Sequence, residues 1–87
     1  MNAIVTVVGQ DRVGIIAAVC TLLAENNVNI LDISQTILHG SFTMVMAVDV
    51  SGVPFDALAR KLKELGASMG LSIRIQREEI FDAMHRI

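Results

Sequence analysis

The chain predicts an α+β domain: a four-stranded antiparallel sheet with two helices on one face, plus a short helix at the C-terminal end. Three observations predict it. Two segments carry apolar residues at helical spacing, four others alternate or run apolar at strand spacing, and their order along the chain is β-α-β-β-α-β. At 87 residues this is one domain, able to bury roughly 60 to 65% of its extended surface. Ala3 to Val8 is β-branched and bounded by Gly9, which reads as a buried first strand. Ile16, Val19, Cys20 and Leu23, widened by Ile15 and Leu22, form the stripe of a first helix from about Val13 to Asn26. Asn26 and Asn27 are its stop, since asparagine tolerates the left-handed turn.

Asn29 to Leu38 predicts a half-exposed second strand, with Leu31, Ile33 and Ile37 on one side and Asp32, Ser34 and Thr36 on the other. Gln35 interrupts the apolar side. The cluster His39-Gly40-Ser41 is a turn, and Phe42 to Val50 is the strand that completes a hairpin. Pro54 suits the first turn of a second helix, whose stripe is Phe55, Leu58, Leu62, Leu65 and Met69 and whose stop is Gly70. Leu71, Ile73 and Ile75 alternate with polar residues in a fourth strand. The order is that of the ferredoxin-like βαββαβ arrangement, and right-handed crossovers place the first and third strands in the middle. Val45, Ala47 and the apolar first strand leave the second sheet face in need of a cover. Residues 78–87 offer one, with Ile80, Met84 and Ile87 on one helical side and Phe81 beside them. The expected organisation is a domain over residues 1–77 and an amphipathic extension over 78–87.

Gly9-Gln10-Asp11-Arg12-Val13-Gly14-Ile15 lies where the first strand gives way to the first helix. A helix that opens there aims free N–H groups and its positive dipole end at the loop, which suits an anionic group such as a carboxylate. Gly14 would let a ligand approach the backbone. The plain alternative is that Asp11 caps the helix and Gly14 eases a turn.

Bulk composition narrows the function classes. With 53% hydrophobic and 18% charged residues, a small sheet with two helices hides its apolar surface poorly, so a subunit partner is expected. A net charge of -2 without Trp or Tyr argues against nucleic acid. The first apolar run is too short and lacks the flanks of a signal peptide or membrane span, so a cytoplasmic protein is expected. Cys20 is alone and reads as core packing, the sequence calls for no cofactor, and Asp32 with Ser34 would make only a weak cation site.

The element order, Asp11-Arg12-Val13-Gly14-Ile15, and Asn27-Val28-Asn29-Ile30 at the start of the second strand together resemble the ACT domain, a ligand-binding regulatory module. The resemblance spans residues 1 to about 77 and is closest to the small stand-alone ACT-domain proteins of uncharacterised function. It implies a non-enzymatic, amino-acid-sensing homodimer that passes its occupancy to a protein partner. The ligand then sits between the loop of one subunit, Asp11, Arg12, Val13, Gly14 and Ile15, and Asn29 and Ile30 of the other. Gly14 matches the family's loop glycine and Asn29 a frequent ligand-contacting asparagine, while Asp11 stands where amino-acid-binding members often carry an amide. Two rivals are a pure oligomerisation module and an acylphosphatase-like hydrolase, the latter resting on Arg12 and Asn29.

Overall fold

The computed structural model describes residues 1–85, with side chains through Ala83. Its elements run β1 (Asn2–Gln10), α1 (Ile15–Glu25), β2 (Asn29–Leu38), β3 (Ser41–Asp49), α2 (Phe55–Met69), β4 (Ser72–Arg77) and α3 (Glu78–His85). The sheet order is β2-β3-β1-β4, all neighbours antiparallel, so β1 and β3 are central as the crossover rule requires.

The core lies between the sheet and the pair α1 and α2. Val5 and Val7 of β1 and Phe42, Met44, Met46 and Val48 of β3 point inward at period two. Ile15, Val19 and Leu23 of α1 and Leu58 and Leu62 of α2 close over them at helical spacing. Each such side chain contributes roughly 1.5 to 3 kcal/mol on leaving water. Cys20 is half-buried against this cluster.

Several local expectations change. α1 starts at Ile15 rather than Val13, because Gly14 takes φ 93°, a left-handed conformation that a helix interior cannot contain. β1 is longer than Ala3 to Val8 and β4 begins at Ser72. Asn27 does turn left-handed, at φ 60°, and Asn26 Nδ2 donates to the Leu22 carbonyl at 2.7 Å to close α1. His39 and Gly40 both have positive φ, the geometry of a two-residue hairpin turn between Leu38 and Ser41.

The largest departure is β2. A register shift between Ile30 and Asp32 leaves Leu31 at an irregularity. Beyond it, Ile33, Gln35 and Ile37 stand opposite Met46, Met44 and Phe42, on the helix side of the sheet. The helix layer covers this row only in part, so Ile33 is 41% and Ile37 54% exposed.

On the other sheet face, Ile4 is only 9% exposed, and α3 contacts both β1 and β4. Phe81 is half-buried, while Ile80 stays half-exposed. Glu78 and Glu79 occupy its first turn, where the helix dipole favours acids. The side chains of Met84 and Ile87, expected on the same stripe, lie outside the described residues. Arg77 stacks 5.6 Å from the Phe55 ring centre, tying the end of β4 to the start of α2. Among the described residues, no helix is long and apolar enough to cross a membrane.

Candidate functional site

The loop after β1 is held at two points. Its Asp11 N–H donates to the Gly40 carbonyl at 2.8 Å, which fixes it to the β2–β3 turn. Arg12 Nη1 donates to the Met69 carbonyl at 3.2 Å, at the C-terminal end of α2, where the helix dipole favours a cation. Between these anchors and α1 stands Val13, 99% exposed. Ile15 is the opposite, its side chain sunk into the core at 1% exposure. The loop is therefore an arch tied down at two points, with one apolar residue at its tip.

α1 begins without a cap. Gly14 is the N-cap residue, no side chain bonds the first-turn amides, and the turn holds no acid. Asp11 therefore does not cap the helix. The first intrahelical bond runs from the Ala18 N–H to the Gly14 carbonyl at 2.9 Å, so the amides of Ile15, Ile16 and Ala17 precede the ladder. A Cβ placed on Gly14 would meet no atom within 4 Å, so its lack of a side chain answers to backbone conformation and leaves open space beside the amides.

Beside this helix start lies a hollow of about 200 Å³, lined by Asp11, Gly14, Ile16, Gln35, Ile37 and Phe42 among others. On the far side of the loop, Gln10, Arg12, Met69 and Gly70 border a second hollow of about 380 Å³. A larger groove between α1 and α2 is less suited to a ligand's charges, because its Lys61 Nζ already donates to Asn26 Oδ1 at 2.7 Å.

The structure brings Asp11, Gly14 and the helix start together, but not Asn29 and Ile30. Asn29 opens β2 opposite Asp49, which neighbours Asn2, whereas the loop follows Gln10 at the other end of β1. The separation along the strand is about 25 Å at ~3.3 Å per residue. Within one protomer they cannot share a ligand. Gln35, Ile37 and Phe42 line the hollow without having been singled out as site residues, although the polar break at Gln35 was legible. Asp32 Oδ1 accepts the Ile33 N–H at 2.9 Å, and the described residues hold no cluster of three or more metal-ligating side chains.

Comparison with known proteins places the chain in a family. The ACT domain family model matches residues 2–76. The UPF0237 protein of Bifidobacterium longum is 59% identical over 88 residues, covering 99% of this chain and 98% of that one. An ACT domain protein from Streptococcus pneumoniae superposes with a TM-score of 0.83 at 42% identity, covering 98% of both chains. A formyltetrahydrofolate deformylase from Pseudomonas syringae superposes at 0.79 with 25% identity, over 86% of this chain but 26% of its own length.

Proposed function

The chain belongs to the ACT-domain family, and from that premise we propose that it is a non-enzymatic regulatory protein. It binds a small amino acid as a homodimer and passes its occupancy to a protein partner. The observation that carries this reading is the uncapped start of α1 beside a hollow that also presents the Asp11 carboxylate. The helix amides suit the carboxylate of a zwitterion and Asp11 its ammonium group. Arg12, the cation a phosphate hydrolase would need, is instead engaged with the Met69 carbonyl.

The separation of Asn29 from the loop fits a dimer through the free edge of β2. Antiparallel pairing of this ten-residue strand with its symmetry copy, near full overlap, sets a two-fold axis at Ile33, which then faces its own copy. Asn29 and Ile30 of one protomer then lie close to Ile37 of the other, and Ile37 lines the hollow. The site so completed uses the loop of one subunit and the start of β2 of its neighbour.

Isothermal titration of the full chain with each proteinogenic amino acid tests the reading. We expect a dissociation constant of roughly micromolar to millimolar, about -8 to -4 kcal/mol, and its loss in Asp11→Ala. No heat from any amino acid at about 10 mM would overturn it. The second reading, a pure oligomerisation module, rests on the exposed apolar row of β2 and predicts the dimer without the ligand.

A further inference from the structure

We infer that Gln35 sets the side-chain preference of the loop hollow, favouring a small amino acid with a hydrogen-bonding side chain over its apolar isostere. The inference rests on the reading of that hollow as an amino-acid site and names the class of amino acid it takes.

Three facts carry it. Gln35 is the polar member of the row Ile33, Gln35, Ile37 on the helix side of β2, set opposite the buried Met44. It lines the hollow together with Ile16, Ile37 and Phe42, so the walls are apolar apart from its amide and the charged loop. Its side chain finds no hydrogen-bond partner among the described residues. Asp11 and the α1 amides answer the two charges that every amino acid carries. What remains to distinguish one amino acid from another is the apolar wall and the Gln35 amide, which has two N–H donors and a carbonyl acceptor. A ligand hydroxyl replaces the water on that amide, whereas a methyl group displaces the water and returns nothing.

Size sets the other limit. The hollow is small, about 200 Å³, and open to solvent on one side. A ligand of seven or eight heavy atoms, such as serine or threonine, suits a hollow of that size.

Threonine and valine have the same shape and differ by a hydroxyl for a methyl, so their ratio of affinities isolates the amide. Titration of the wild-type chain should show threonine bound about three- to tenfold more tightly than valine, the worth of one neutral hydrogen bond. In Gln35→Leu the preference should vanish or invert, with the melting temperature and oligomeric state unchanged. In the ¹⁵N spectrum of the wild type, the side-chain amide peaks missing from Gln35→Leu should shift as threonine is added. A glutamine that served only to keep an edge strand soluble would leave the ratio the same in both proteins, and that result overturns the inference while the amino-acid site stands. Binding of other amino acids with none of serine or threonine overturns it in the same way. Silence across the whole panel ends both.

Discussion

Asp49 closes β3 with Oδ1 accepting from the Ser51 hydroxyl at 2.6 Å and from the Ser51 N–H at 3.0 Å. These bonds favour the ionised form and hold its carboxyl below the ordinary value of 3.8. A carboxyl depressed on folding stabilises the native state above its unfolded value, and that contribution disappears as pH falls through the folded value. Asp49→Asn should therefore flatten the loss of stability below about pH 4, read from urea midpoints across the acid range. Parallel acid limbs in the two proteins would sink the idea. Single residues of the candidate site divide by how far their reasons lie along the chain. Asp11 and Gly14 were legible because the strand end, the turn glycine and the helix stripe are adjacent in sequence. Arg12 was not, since its partner is the carbonyl of Met69, 57 residues away. A cation in a loop looks the same in sequence whether it faces a ligand or closes a distant helix.

Helices and strands were legible where one period governs a whole segment, and failed where a neighbour's backbone intervenes. The stripe of α2 predicted its buried side, yet the structure adds Gly66 to Leu58 and Leu62. A Cβ on Gly66 would stand 2.7 Å from the Leu71 carbonyl oxygen, and the Leu71 N–H donates to the Gly66 carbonyl at 2.8 Å. The glycine is the point at which β4 folds back against its own helix. Alanine gains about 1 kcal/mol of helix propensity there, but crowding backbone against backbone typically costs 1 to 3 kcal/mol. Gly66→Ala should lose up to about 2 kcal/mol net in guanidinium unfolding, and a stabilised variant would show that β4 yields. β2 is the converse case. Its alternation correctly made it a strand, but alternation alone carries no information about whether a helix covers the apolar side. The irregularity at Leu31 also moves Ile30 and Ile33 onto one side, which strict period two forbids.

The molecule as a whole is a slab of 35 × 35 × 20 Å, one sheet against one layer of helices, with a third helix on the reverse. It exposes 5524 Å², against about 5,000 Å² expected for a compact monomer of 9.4 kDa. The excess has an address. β4, at one edge, is short and carries Arg74 and Arg77, whereas β2 at the other edge runs ten residues with Asp32 as its one charge. Edges that long are normally blunted by lysine, proline or a covering loop, because their free N–H and C=O groups pair with any strand that meets them. The apolar excess in the composition calls for a partner, and the dimer proposed above would place it on the exposed edge of β2. Sedimentation velocity at micromolar concentration should therefore show a dimer, with an interface of about 1,200 Å² or more in total. Ile33→Lys sets a charge beside the two-fold axis of a β2–β2 pair, where it meets its own copy. Ile33 is already 41% exposed, so the lysine is tolerated within one protomer and the melting of the monomer should change little. The variant should sediment as a monomer and, because Asn29 then comes from no neighbour, bind amino acids more weakly than the wild type. A wild-type chain that sediments as a monomer, or an Ile33→Lys dimer of undiminished strength, would move the interface off β2 and leave the loop to act within a single protomer.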